Sequence, residues 1–289
     1  MNGSANPLLE KLATGILFCL PQHWISRVVY RLVRIETPVV KNAIIRLYTT
    51  LFKLDMDEAT EPDPLAYPTM NALFTRALKP GARPLPADEQ LLVSPADGVV
   101  SEFGSIDNTL LLQAKGQWYS HDLLLGGHAD LSRPFNDGLF ATVYLSPRDY
   151  HRVHMPFSGR LTEMLYVPGR LHSVSLMTTR TIPQLFTRNE RVVCLFDTEA
   201  GRMAVVLVGA INVAAIETVW AGLITPPPGK EAVLTRYDEP IELRRGDELG
   251  RFNMGSTVVV LMERGRFDWL PELTGHSTVK MGEPLARMR

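Results

Sequence analysis

Met254-Gly255-Ser256-Thr257-Val258-Val259-Val260-Leu261-Met262 is the stretch from which the fold is read. A Gly-Ser pair punctuates the chain and an unbroken apolar, β-branched run follows, the pattern of a turn entering a buried strand. Working outward, the same character recurs in short runs separated by turn residues: 98–106, 110–114, 141–145, 160–167, 192–196, 203–208, 211–220 and 257–262. Short helices are predicted between them at 120–125 and 183–188. This pattern predicts an α+β fold whose catalytic part is dominated by antiparallel strands, preceded by N-terminal amphipathic helices.

The N-terminal part has a different character. Trp24, Ile25, Val28, Val29, Leu32 and Ile35 recur at helical spacing beside a stripe of Arg27, Arg31 and Arg34. Val40, Ile44, Leu47 and Leu51 repeat the pattern, with Lys41, Arg46 and Lys53 placed for headgroups. Residues 1–54 hold seven Lys/Arg against Glu10 and Glu36, whereas the whole chain has a net charge of -1. Such a distribution suits a helix lying on an anionic surface, and equally one packed on its own domain with a solvated charged face. Thr69 is placed to cap a short helix running to 78. The Pro- and Gly-rich stretch 79–86 then marks a boundary, giving a helical region 1–85 and a β-rich domain 86–289.

Several classes are disfavoured. A balanced charge argues against a dedicated nucleic-acid binder. Cys19 and Cys194 are the only cysteines, which provides neither a disulfide framework nor a zinc cluster and suits a reducing compartment. No apolar stretch approaches the roughly 20 residues that span a bilayer, and the segment 15–20 lacks the flanks of a signal peptide.

Four features can carry chemistry. Ser94-Pro95-Ala96-Asp97-Gly98 reads as a polar turn before a strand. Tyr150-His151-Arg152-Val153-His154 follows a strand end with two histidines three apart, without a third ligand at metal spacing. Glu217-Thr218-Val219-Trp220 closes an apolar strand before a rigid Pro-rich loop. The fourth is Gly255-Ser256 itself. Taken singly, each also reads as ordinary turn and strand chemistry.

Together they resemble the bacterial, membrane-associated type of phosphatidylserine decarboxylase, from about Asn71 to the end. The family's cleavage motif Leu-Gly-Ser-Thr is matched by Met254-Gly255-Ser256-Thr257, its aspartate motif by Pro95-Ala96-Asp97-Gly98 and its histidine motif by Arg148–Pro156. Phe186–Arg191 and Ile216–Gly222 match further blocks. Two positions depart from the pattern. Met254 replaces Leu at similar volume, and Ser175 stands where Asn is usual, which weakens any substrate contact carried over to it.

The resemblance implies autocleavage at Gly255-Ser256 into chains 1–255 and 256–289, which stay together as a heterodimer. Ser256 becomes a covalent pyruvoyl group, the only cofactor, and no metal is needed. That group forms a Schiff base with phosphatidylserine and releases CO2, leaving phosphatidylethanolamine. His154 is implied as the base that activates Ser256, Asp97 as its acidic partner, and His151 or His154 as donor of the final proton. Also implied are a homodimer and attachment to the cytoplasmic face of an anionic membrane, with residues 1–85 as the membrane-associating region. Two other readings stay open at this point. One is an acyl hydrolase using Ser256, His154 and Asp97; the other is a non-enzymatic, barrel-like binding module around 243–262.

Overall fold

The computed structural model describes Gly15 and residues 20–114, 116–211, 215–226, 231–253 and 256–289, without the side chains of Leu176 and Ser256. Helices open the described chain. Gln22–Leu32 forms α1 and Pro38–Phe52 forms α2, with Pro38 in the first turn, where its missing N–H has no intrahelical partner to lose. Thr69 caps α3 (Met70–Phe74) by accepting the Ala72 N–H at 3.0 Å, as the sequence predicts. The helix stops short of 78 because Leu78 leaves it to bridge Ala59, and Lys79 N–H goes to Glu58 O at 2.9 Å.

The amphipathic reading of the first two helices holds, but the apolar stripe is divided. Val29 and Val33 pack inward with Ile45, Tyr48, Met70 and Phe74, whereas Trp24 is 64% exposed and Leu47 and Leu51 are 63% and 64% exposed. The inner face of α1 carries polar groups instead: Gln22 is buried and accepts the Leu171 N–H through Oε1 at 3.1 Å. Lys41 also differs from expectation. Its ammonium is buried and donates to the carbonyls of Leu65 and Tyr67, each at 2.7 Å, so it is not placed for headgroups.

The strands follow as β1 (Leu91–Val93), β2 (Gly98–Ser105), β3 (Leu110–Ala114), β4 (Gln117–Ser120), β5 (Leu139–Leu145), β6 (Arg152–His154) and β7 (Gly159–Val167). Then come β8 (Arg191–Thr198), β9 (Gly201–Gly209), β10 (Ile216–Thr218), β11 (Gly222–Leu223), β12 (Val233–Leu243) and β13 (Glu248–Phe252). The last are β14 (Ser256–Met262), β15 (Phe267–Trp269), β16 (Thr278–Val279) and β17 (Pro284–Met288). Short helices include His121–Leu124 and Leu185–Arg188, at the two predicted places, and Leu176–Thr181, which the sequence did not announce. The predicted strand 211–220 contracts to β10, because Thr218 already faces Gly222 across a tight return into β11; residues 212–214 lie outside the described set.

An eight-stranded antiparallel sheet in the order β12-β7-β8-β9-β14-β5-β2-β16 forms the body. β14 is central, in register with β5 on one side (Ser256 opposite Leu145) and β9 on the other (Ser256 opposite Gly209). Its side chains from Val258 to Met262 are at most 1% exposed, which is why the sequence shows an unbroken apolar run rather than alternation. Each such side chain contributes about 1.5–3 kcal/mol by leaving water. A four-stranded sheet, β11-β10-β13-β6, carries the histidine motif. A three-stranded one, β1-β17-β15, ties the C-terminus to the segment before Asp97.

Candidate active site

The histidines are delivered by a tight turn. After β5, the Asp149 carboxylate accepts the Ser146 N–H at 2.7 Å, and Asp149 N–H returns to Ser146 O at 2.9 Å. The chain then enters β6, where His154 lies opposite Glu248 of β13. The His154 N–H donates to Pro95 O at 2.7 Å, which joins the histidine and aspartate motifs through the backbone. Gly98 makes the junction possible: a Cβ there would lie 2.2 Å from the Tyr144 carbonyl oxygen. What looked like an Asp-Gly turn is therefore a close approach of β2 to β5.

Hydrogen bonds fix the state of both imidazoles. His154 Nδ1 lies 2.8 Å from Gly246 O, which can only accept, so Nδ1 carries the proton. Nε2 then offers a lone pair, and Tyr150 Oη at 3.0 Å donates to it. Burial pushes the His154 pKa down; the Gly246 carbonyl and the charges of Glu248 and Asp97 work in the opposite sense. His154 is thus a neutral base at neutral pH. Burial likewise drives the Tyr150 phenol up to about 12, keeping its proton in place.

His151 is more enclosed. Its Nδ1 donates to Asp149 O at 2.8 Å, its ring lies against Phe74 with centroids 4.0 Å apart, and burial lowers its pKa to about 3. The Nε2 lone pair is buried and has no partner among the described residues. At neutral pH His151 accordingly presents an acceptor rather than a proton.

Asp97 is brought near His154 but is not hydrogen-bonded to it. Its carboxylate receives two N–H groups of Arg83, with Nε at 2.9 Å from Oδ1, and the Met281 N–H at 2.8 Å. Arg83 continues to Glu58 at 2.7 Å, and Lys280 closes the chain of charges at 2.6 Å from the other Glu58 oxygen. The hydrogen bond from Arg83 holds Glu58 at about 2, against the opposing effect of burial. The orienting contact expected of Asp97 is made by the Gly246 carbonyl, and Asp97 acts on His154 through space.

The strand bearing Ser256 opens beside Leu145, the residue from which the histidine turn departs, so the β-sheet register brings these motifs to one sheet end. Met254 and Gly255 lie outside the described residues, as does the Ser256 side chain. Asn253 Nδ2 and Thr257 Oγ1, neighbours of this position in sequence, are buried and have no partner among the described residues. Among the described residues no group of three or more His, Cys, Asp or Glu could hold a metal. Sequence reasoning quoted Tyr150 without a role and did not find Arg83 or Gly246. No local signal marks them, since Gly246 meets His154 across 92 residues of chain.

His154, a neutral and buried imidazole on β6, is tied to the aspartate motif by the backbone, and Ser256 opens β14 beside the strand that leads into the histidine turn. Comparison with known proteins is specific. A sequence model described as phosphatidylserine decarboxylase matches residues 70–287, and one described as PSD matches 12–53. The phosphatidylserine decarboxylase proenzyme of Alkalilimnicola ehrlichii is 57% identical over 255 residues, covering 88% of each chain. That of Marinobacter nauticus is 48% identical, over 97% of this chain and 99% of its own, and that of Ectopseudomonas mendocina 53%, over 93% and 95%. The chain belongs to the phosphatidylserine decarboxylase family.

Proposed function

We propose that this chain is a precursor that cuts itself between Gly255 and Ser256, converts Ser256 into a pyruvoyl group and decarboxylates phosphatidylserine to phosphatidylethanolamine. The observation that carries the reading is the placement of Ser256 at the opening of a strand paired along both edges. A cut ahead of such a strand leaves the new terminus held by β5 and β9. The same pairing keeps the two chains associated once the peptide bond is gone.

His154 takes the Ser256 hydroxyl proton at Nε2 after Tyr150 turns aside, and Ser256 Oγ adds to the Gly255 carbonyl carbon. The C–N bond breaks, the amine takes the proton, and an ester joins the two halves. Loss of the Ser256 α-proton expels the Gly255 carboxylate and leaves dehydroalanine. Its enamine tautomerises to an imine, which water hydrolyses to a ketone with release of ammonia. The pyruvoyl group supplies a carbonyl that condenses with the lipid amine and accepts the electron pair left as CO2 departs. His154 Nε2 takes the proton that the lipid ammonium loses before its amine can react, and returns it to the former α-carbon. His151, with its lone pair toward the interior, serves as an acceptor that orients the site.

Residues before 55 attach the enzyme to the cytoplasmic face of an anionic membrane. Exposed Trp24, Leu47 and Leu51 beside Arg27, Arg31 and Arg46 support this, each cation contributing about 1 kcal/mol near such a surface. Among the described residues no helix is long and apolar enough to cross a bilayer. The acyl-hydrolase reading draws on the same three residues, Ser256, His154 and Asp97, and is separated from this one by experiment. The deciding experiment treats purified enzyme with phosphatidylserine and borohydride, and separately with a fluorophosphonate. Loss of activity with the first alone supports the proposal; labelling of Ser256 by the second sinks it.

A further inference from the structure

Gly209 ends β9 and is the residue that faces Ser256 across the sheet. Both of its backbone polar groups turn the other way: its N–H donates to Glu190 O at 2.8 Å, and its carbonyl accepts Asn189 Nδ2 at 2.8 Å. In an antiparallel sheet a residue whose N–H and C=O both point to one neighbour makes no hydrogen bond to the other, and there the Cα atoms approach to about 4.5 Å. Ser256 and Gly209 form such a close, unbonded pair. On this side the place of Ser256 therefore depends on Gly209 staying where it is.

Regular pairing does not keep Gly209 there. The donor that β8 would bring to its carbonyl is the Glu190 N–H, and this N–H goes instead to Arg170 O at 2.8 Å. The Asn189 side chain makes good the loss. It is completely buried, and its amide joins two partners. Nδ2 donates to Gly209 O and, at 2.9 Å, to His172 O, while Oδ1 accepts the His172 N–H at 3.1 Å. The loop bearing His172 is itself anchored from outside the sheet. Gln22 of α1 accepts the Leu171 N–H at 3.1 Å and donates through Nε2 to His172 Nδ1 at 2.8 Å. Leu171 also covers the strand end, for a Cβ on Gly209 would lie 3.4 Å from Leu171 Cδ2. Asn189 thus ties an anchored loop to the last residue of β9.

We infer that Asn189 is a positioning residue for self-cleavage: it holds Gly209, and through Gly209 the backbone of Ser256, at the place from which the serine adds to Gly255. The inference rests on the self-cleavage reading. Asn189 touches no reacting atom and acts through β9 alone. The place calls for two N–H donors and one acceptor on a single planar group, which among uncharged side chains only Asn and Gln carry. Gln would force an extra methylene into a space with no room to spare.

The test uses full-length precursor made by cell-free translation, with N189A, N189S and V205A beside the parent. The appearance of chain 256–289 on a denaturing gel gives a rate constant and a final extent. Unfolding lowers the extent, whereas a misplaced serine slows every molecule. Since an error of about 1 Å in placement can cost 10²-fold, the rate constant of N189A should fall roughly tenfold or more while cutting still runs to completion. V205A empties space at a buried position of the same strand, opposite Val260. It should lower the denaturant midpoint, measured in the uncut S256A background, yet keep its rate constant within about twofold of the parent's. N189S serves where N189A fails to fold; its shorter side chain does not span Gly209 and His172, and its rate constant should fall as well. If the Asn189 variants cut as fast as the parent, or no slower than V205A at the same midpoint, Asn189 only stabilises the fold and the inference is overturned. A parent that never cuts contradicts the self-cleavage reading, and the role of Asn189 with it.

Discussion

Replacing Tyr150 by Phe removes one hydroxyl, and the structure says what that does to His154. The phenol donates to Nε2 at 3.0 Å, in a place where Tyr150 is 5% and His154 9% exposed, so water does not readily take over. A hydrogen bond donated to Nε2 can exist only while the imidazole is neutral. Its loss removes about 0.5–1.5 kcal/mol from the neutral form alone. At 1.36 kcal/mol per pKa unit, the His154 pKa should rise by roughly a third of a unit to one unit. A higher pKa means less free base at any given acidic pH, so the acid limb of self-cleavage moves to higher pH by that amount. The assay is precursor made in a cell-free translation mixture, shifted to buffers from about pH 5 to 8 and resolved into cut and uncut chains on a denaturing gel. A limb that stays fixed, or moves to lower pH, refutes the assignment of proton, lone pair and donor.

Other consequences are open to measurement. His151 is held neutral, with its pKa lowered to about 3 mainly by burial, while the unfolded chain binds a proton near 6.5. Between those values the unfolded state binds more protons, so stability falls as pH drops below about 6.5, by up to roughly 1.4 kcal/mol per pH unit. Denaturant midpoints recorded from pH 7 to 5 should fall, and H151N should flatten the slope. The triple variant Trp24→Ser, Leu47→Ser, Leu51→Ser should lose flotation with anionic liposomes yet keep the fold, since these side chains are 63–64% exposed. Unchanged flotation would end the membrane assignment. Leu261→Ala empties space in the central strand and should cost about 2–5 kcal/mol of stability, weakening retention of chain 256–289 after the cut. If the chains part as readily in the parent as in the variant, β14 is not what holds them.

How far the sequence speaks depends on whether a role is local. β14 was legible because a strand enclosed on both sides must be apolar throughout, and the segments holding Asp97, His154 and Ser256 could be singled out because each motif is contiguous. β12 was not: Val233–Leu243 carries Arg236, Asp238, Glu239 and Pro240, which suit an edge strand with a bulge between Arg236 and Ile241 but give no alternating pattern. The first helices were readable as helices, while the side that meets the rest of the protein was not, because Gln22 and Lys41 are buried through contacts with residues distant in sequence. The same reason hid Arg83. Its grip on Asp97 and Glu58 joins segments 14 and 25 residues apart, and no local periodicity encodes such a pairing.

Mass analysis of the purified protein under denaturing conditions addresses the self-cleavage directly. The account predicts a long chain that ends at Gly255 and a short one spanning 256–289, whose first residue bears a keto group in place of the serine amine. An intact chain of 289 residues that nevertheless turns phosphatidylserine into phosphatidylethanolamine would contradict it.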